Sequence, residues 1–384
     1  MKKFDVIVVG AGPAGSTAAR FCSEAGLKSA IIEKEKLPRV KACAGGVIPA
    51  GLRFCNIDLP DDLIENKCDK IKLSYKRYRR IVKIQEPIYM VERSRFDMFL
   101  TEEAIKMGAK LKEEEKLIDL KYKNDQLIIT TSQDQYRTKI LIAADGYFST
   151  VRKTLGISLN VKDSPIAIEA TIPMDRDEIY SRFNRSVSVH YIPGLFGYAW
   201  IFPKKNHISA GLGSFIRPPK SIKNTFFNFL ALHHLKAQSK IKSWFLPPSD
   251  GYHNLVYDGI MLTGDAAGFV DAFTGEGIRY AMISGKLAAL TAVECFKKRN
   301  FSNDCLVSYN DLCNKFIIPN LAYSKRISYY IYRYSWFTIP AAFKNKELLE
   351  MYANTLFGYG NYKNLISWIK PKMPFIFIKR FLPS

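Results

Sequence analysis

The chain has 384 residues, 47% of them hydrophobic, which is enough for a large core, two joined domains and an extension. Lysine and arginine number 57 against 36 acids, and the resulting +21 favours anionic lipid headgroups, phosphorylated compounds or nucleic acid as partners. No zinc spacing or nucleic-acid recognition motif accompanies that charge, so a metal site and nucleic acid are set aside, and seven scattered cysteines without a C-x-x-C pair argue for a reducing cytosol and against a disulfide framework.

Taken in chain order, Val6–Val9 is an apolar run fit for a buried parallel strand. Gly10, Gly12 and Gly15 then offer a tight turn, a close backbone approach to a pyrophosphate, and close helix–strand packing. Ser16–Ala25 predicts a helix whose amino end faces the phosphates, and Gly26 ends it. Ala30–Ile32 predicts the second strand, and Glu33 closes the unit as acceptor for ribose hydroxyls, which disfavours a 2′-phosphate. Strand character follows at Ile71–Tyr75 and Arg80–Ile84. Arg93 opens a helix running to about Met107, with Asp97 placed four residues on as a pairing partner. Ile140–Ala143 predicts a strand that delivers Asp145-Gly146, and Ala167–Ile172 predicts another.

Tyr198, Trp200 and Phe202 alternate with period two, so a strand would put all three rings on one face. Gly251 and Gly259 bracket a return to the nucleotide unit. Gly259–Thr263 predicts a strand with Asp265 at its carboxyl end, where open α/β sheets bind ligands, although a turn aspartate has the same appearance. Gly275–Glu276–Gly277 makes a second glycine turn before a helix at Ile278–Phe296. Backbone N–H groups near Gly277 and Ile278 are then available to a flavin N1/O2 edge, which turns negative on reduction. The two turns with Glu33 and Asp265 point to FAD. Beyond residue 300, aromatics and cations interleave; 323–337 reads as a capping helical layer and 367–382 as an interfacial segment.

These segments resemble the p-hydroxybenzoate-hydroxylase-like flavoproteins. Two further stretches, LPRVKACAGGVI (37–48) and GYAWIFPKKNHISAGLG (197–213), are similar to the cysteine-glycine loop and aromatic motif of the geranylgeranyl reductase family. The resemblance covers roughly the first three hundred residues. It implies an α/β fold: a Rossmann-type FAD-binding domain (1–70, 91–160, 255–300) interleaved with an antiparallel-sheet substrate domain (71–90, 161–254). A mainly helical region (301–384) completes the chain. Implied cofactor contacts are Gly10, Gly12, Ala14, Gly15, Glu33, Cys43, Ala44, Gly46, Arg93, Leu117, Asp265, Gly277 and Ile278. Cys43 is implied near the proton-transfer event, as donor or as a modulator of the flavin, with a water relay as the alternative. Tyr198, Trp200 and Phe202 are implied to line an isoprenoid tunnel, the first two also steadying transient positive charge.

The implied activity is saturation of prenyl double bonds on a lipid, diphosphate or quinone by hydride from reduced flavin plus a proton. A flavin monooxygenase or halogenase is the alternative, and a non-catalytic prenyl-binding protein the third reading. NAD(P)H and ferredoxin remain open as electron donors. Gly268 stands where many hydroxylases have histidine, which favours a reductase; Ala272 and Asp271 replace a frequent proline and asparagine. The five histidines show no catalytic grouping. The first residues read directly into a strand, so no signal peptide is expected, and no apolar run approaches spanning length. The expected location is the cytoplasm, peripheral on the inner face of the membrane, with a membrane surface and ferredoxin as candidate partners.

Overall fold

The computed structural model describes residues 1–123, 126–157, 164–215, 219, 221–238, 240–247 and 254–379. Gly251 and the end of the basic-aromatic tail beyond 379 lie outside the described residues.

Three sheets organise these residues. Four short strands whose every side chain is buried, or nearly so, form the nucleotide-type layer: Ile260–Leu262, Ile140–Ala143, Val6–Val9 and Ser29–Ile32 lie side by side and parallel. Lys110–Lys112 adds a parallel edge and Val256–Tyr257 an antiparallel one. Burial on both faces explains the unbroken apolar runs. A four-stranded sheet joins Lys2–Lys3, Gln135–Thr138, Gln126–Thr131 and Leu117–Lys123.

The eight-stranded sheet runs Lys242–Phe245, Ile166–Pro173, His207–Ser214, Gly197–Pro203, Ser186–Tyr191, Ile64–Tyr75, Tyr78–Val91, Gly46–Val47. It is antiparallel except where Ser186–Tyr191 pairs in parallel with Ile64–Tyr75. Residues 64–70, grouped by sequence with the nucleotide unit, therefore begin a strand of this larger sheet. One face packs on helices Arg176–Phe183 and Ile222–Leu232 through Ile179, Phe183, Phe226 and Phe229. The opposite face, carrying Ile71, Leu73, Val82 and Val187, shares a core with Tyr332, Phe343, Leu349, Ala353 and Phe357 of the carboxyl-terminal helices. Those helices therefore complete the large sheet's core rather than standing apart as an extension.

Two features depart from the sequence reading. Helix Pro13–Glu24 begins three residues earlier than the glycine spacing suggested, because Pro13 suits the first helical position, where no N–H is needed. Cys295 and Cys305 form a single disulfide, a bridge the scattered cysteines did not announce; it ties the end of helix Ile278–Lys298 to the short helix Asn303–Leu306.

Helices Pro13–Glu24 and Ile278–Lys298 pack at close range across Gly285. A Cβ there would stand 2.2 Å from the Ala14 carbonyl oxygen, a distance no real contact tolerates. Gly285→Ala is accordingly expected to push the two helices apart and destabilise the fold by about 1–3 kcal/mol, read as a lowered Tm; an unchanged Tm would show that this approach is not constrained.

Candidate functional site

An elongated cleft of about 420 Å³ runs along the carboxyl ends of the parallel strands. The first glycine turn supplies Gly10, Gly12 and Ala14 to its wall. Gly12 caps the Pro13–Glu24 helix, so the amino-terminal N–H groups, with their partial positive charge, face the cleft. Gly15 packs instead on the Gly10 carbonyl oxygen, 1.9 Å from where its Cβ would stand, and does not line the cleft.

At the far end Glu33 is buried, with Oε2 accepting the Ala11 N–H at 2.8 Å and Oε1 the Glu35 N–H at 3.1 Å. Arg39 lies 3.6 Å from the same carboxylate and bonds Asp97 at 3.2 Å. Arg93 holds Asp97 with two hydrogen bonds of 2.9 and 3.0 Å and has the Cys43 side chain alongside. The pairing of Arg93 with Asp97 expected from their spacing is made, and both partners are buried. Burial alone would disfavour the Arg93 charge, but Asp97 and Cys43 hold the guanidinium pKa above its ordinary value. The alternating chain Glu33, Arg39, Asp97, Arg93 leads from one end of the cleft to the cysteine loop.

That loop is clamped by backbone. Gly45 has φ +77°, its carbonyl accepts the Val91 N–H at 2.8 Å, and a Cβ would meet the Val91 oxygen at 2.2 Å. Only glycine suits both the conformation and the approach. The Gly45 N–H donates to the Cys43 sulfur at 3.4 Å.

A second cavity, about 180 Å³ and mostly apolar, adjoins the first. Cys43, Trp244, Leu246, Gly275, Gly277 and Ile278 line both, so the two spaces share one junction. Tyr198, Trp200 and Phe202 share one face as expected and line the apolar side, together with Ile71, Leu73 and Val82. Ala44 and Gly46 lie there too, rather than in the cleft. Leu117, Arg93 and Asp265 line the cleft.

The far wall comes from helix Lys346–Leu356, through Leu349, Tyr352, Ala353 and Leu356. Neither this wall nor Trp244 was foreseen from sequence. The aromatic spacing of 197–203 had a readable period, whereas residues 349–356 look like any amphipathic helix.

Several polar groups have no freedom to donate. The Tyr198 hydroxyl bonds the Thr274 carbonyl, and burial raises its pKa above the ordinary value. The Trp200 indole N–H donates to Ser209 at 3.3 Å. Asp271 is fully buried; its Oδ1 accepts from the Phe273 and Thr274 N–H groups, from Ser324 at 2.6 Å and from Tyr362 at 3.2 Å. The residue that replaces a frequent asparagine thus fastens two carboxyl-terminal helices to the second glycine turn.

The residues fit FAD on two observations. Asp145 lines the cleft with one buried carboxylate oxygen that has no protein partner, which a ligand hydroxyl would satisfy. The helix amino terminus at Gly12 supplies the anion-facing N–H groups a pyrophosphate needs. Gly12, Ala14, Glu33, Arg93, Asp145 and Asp265 would hold the cofactor along the cleft, with Gly277, Ile278 and Cys43 at its junction end.

Glu33→Ala is expected to weaken FAD binding by roughly tenfold or more, since a bond to a charged group is lost and Arg39 loses a partner. Flavin fluorescence titration reads this directly; unchanged affinity would place the ribose elsewhere. Beside the loop, Glu92 is opposed by burial, yet the His207 and Lys204 contacts hold its carboxyl down at about 2 from an ordinary 4.5. A depressed acid lends stability above its unfolded pKa, and loses it as pH falls toward the folded one. Stability should therefore decline between pH 4.5 and about 2, and Glu92→Gln should make that decline shallower in acid-titrated unfolding.

Comparison with known proteins agrees with this geometry. The FAD binding domain family matches residues 3–285. The chain is 31% identical over 324 residues to a digeranylgeranylglycerophospholipid reductase of Methanocaldococcus jannaschii, covering 80% of this chain and 81% of the relative. A geranylgeranyl bacteriochlorophyll reductase-like structure from Thermoplasma acidophilum aligns with TM-score 0.82 at 23% identity, over 97% of this chain and 99% of that one. A flavin-dependent brominase aligns with TM-score 0.76 at 21% identity, over 97% of this chain and all of its own. At such identities the two structures attest to the fold alone. The chain belongs to the FAD binding domain family, among its geranylgeranyl reductase-like members, and is an FAD-dependent oxidoreductase.

Proposed function

We propose that the protein saturates carbon–carbon double bonds of geranylgeranyl or related polyprenyl chains carried on a lipid, a diphosphate or a quinone. The observation that carries this is the shared junction: an apolar cavity walled by Tyr198, Trp200 and Phe202 meets the nucleotide cleft at Cys43 and the Gly275–Ile278 turn. When bound, reduced FAD supplies the hydride, and the protein supplies binding, orientation and electrostatics. An isolated alkene has nowhere to put negative charge, so a proton must arrive early or in concert.

Trp200 and Tyr198 line the cavity, where their aromatic rings would steady the positive character that then develops. With its hydroxyl committed to Thr274, Tyr198 serves as wall and electrostatic surface. Cys43 is the candidate donor or modulator at the junction, directly or through water. Electrons come from NAD(P)H or a ferredoxin.

A halogenase would need an amine in the substrate space. Among the described residues no lysine lines the apolar cavity, and Lys204, the buried lysine nearest the loop, is paired with Glu92 at 2.5 Å. A binder without flavin would have no use for the Glu33 and Asp265 arrangement.

No helix among the described residues is long and apolar enough to cross a membrane. Tyr329 and Tyr330 are exposed on helix Ile318–Arg333, which also carries Arg326 and Arg333, and exposed Tyr334 and Trp336 follow where helix Ser335–Phe343 begins. This segment, read from sequence as a core layer, is the better candidate for contact with an anionic lipid surface, which suits a cytoplasmic protein peripheral on the inner face of the membrane.

Incubating the holoenzyme anaerobically with dithionite and a geranylgeranyl lipid should add two hydrogens per bond by mass spectrometry; an unaltered lipid contradicts the reading. Ala353→Trp, which fills the cavity from its far wall, should keep the flavin spectrum while cutting turnover of long prenyl chains on the order of tenfold, as expected when overpacking costs 1–3 kcal/mol. Full activity in that variant would move the substrate out of this cavity.

A further inference from the structure

We propose that Glu169 is a positioning residue: a buried carboxylate that ties the Cys43 loop to the aromatic strand and keeps thiol and indole in register at the junction.

Glu169 stands in the middle of strand Ile166–Pro173 with 4% of its surface exposed. Its neighbour two residues back, Ala167, lines the apolar cavity, so strand alternation puts the acid on the same face. An apolar residue is the ordinary occupant of such a place, because an unsatisfied buried charge is expensive. Here both oxygens are satisfied, each by a different part of the site. Oε1 accepts the backbone N–H of Cys43 at 3.2 Å, and Oε2 accepts the Ser209 hydroxyl at 2.9 Å. Ser209 in turn accepts the Trp200 indole N–H at 3.3 Å.

The sheet is shaped for this second limb. Gly211 lies directly across from both Glu169 and Trp200 on the intervening strand. A Cβ at Gly211 would stand 2.3 Å from the indole ring, so glycine is what lets Trp200 lie over that strand and reach Ser209. Burial pushes the Glu169 carboxyl above its ordinary range, and the Ser209 bond, Lys204, the Cys43 N–H and Lys242 oppose it. All the hydrogen bonds run toward the carboxylate, which acts purely as acceptor.

The expected effect on turnover rests on the proposed reductase reading, but the readouts chosen here do not. Cys43 is half-buried, while the other free thiols, Cys22, Cys55, Cys68 and Cys313, are buried and Cys295 and Cys305 are bridged. Alkylation of the folded holoenzyme by iodoacetamide therefore reports on the loop, with Cys43→Ser as the blank.

Glu169→Ala should change the alkylation rate by roughly tenfold, the scale of losing a hydrogen bond to a charged group. Glu169→Gln, which keeps an acceptor for the Cys43 N–H, should restore much of the native rate. Ser209→Ala should leave alkylation near the native rate and shift tryptophan emission instead, because only the indole limb is cut. Should Glu169→Ala fail to fold, the Gln and Ser209 variants still separate the limbs. Native alkylation rates in folded Glu169→Ala, or equal loosening in Glu169→Ala and Ser209→Ala, would overturn the proposal. Loss of turnover with KM unchanged is expected in Glu169→Ala; inactivity of the native enzyme toward prenyl lipids would count against the reductase reading alone.

Discussion

The whole arrangement depends on how closely two helices approach. Gly285 lets the helix that follows the second glycine turn lie against the helix that follows the first, with the Ala14 carbonyl in the space a side chain would need. Two segments separated by more than two hundred residues thereby bring their amino-terminal ends to one cleft. A nucleotide site assembled this way is cheap in sequence, since each half needs only a strand, a turn and a helix. It is strict in geometry, because a methyl group at the crossing point would separate the halves.

From that crossing the division of labour follows. Charge is concentrated along the cleft, where Glu33, Arg39 and Arg93 line the wall and buried Asp97 stands behind the two arginines, so that the signs alternate and satisfy one another. The adjoining cavity is lined mostly by aromatic and aliphatic side chains, with Cys43, Thr274 and Glu276 among them, and the polar atoms of Tyr198 and Trp200 are bonded to Thr274 and Ser209. Buried polar groups are costly unless paired, and the Tyr198 hydroxyl and the Trp200 indole N–H are both paired. Asp271 plays the same part for the carboxyl-terminal helices, gathering four donors on one oxygen between the second turn and helices Ile318–Arg333 and Tyr362–Lys379. The cavity wall on that side is thus anchored to the nucleotide turn itself.

The parts readable from sequence were those with a local period or a fixed spacing. Val6–Val9, Gly10 to Gly15 and the alternation of Tyr198, Trp200 and Phe202 state their geometry within a few residues. The hairpin Ile64–Tyr75 and Tyr78–Val91 is legible only near its turn, because irregular pairing near Ile64 and Cys68 breaks the alternation farther out, and cations cover its outer face. Glu169 was invisible, since nothing local tells a buried acid from an exposed one. The wall at Leu349–Leu356 and the Cys295–Cys305 bridge were equally hidden, each depending on what tertiary folding places nearby. Asp271 was noticed as a departure, but its purpose required seeing Ser324 and Tyr362 beside it.

In the proposed reaction, electrons cross the junction between cleft and cavity into a prenyl chain. The most direct measurement is anaerobic stopped-flow absorbance of the prereduced holoenzyme mixed with a geranylgeranyl lipid. The oxidised flavin spectrum should return without oxygen, one equivalent for each double bond lost. A flavin that stays reduced until oxygen is admitted, and then yields a hydroxylated or halogenated product, would contradict this reaction.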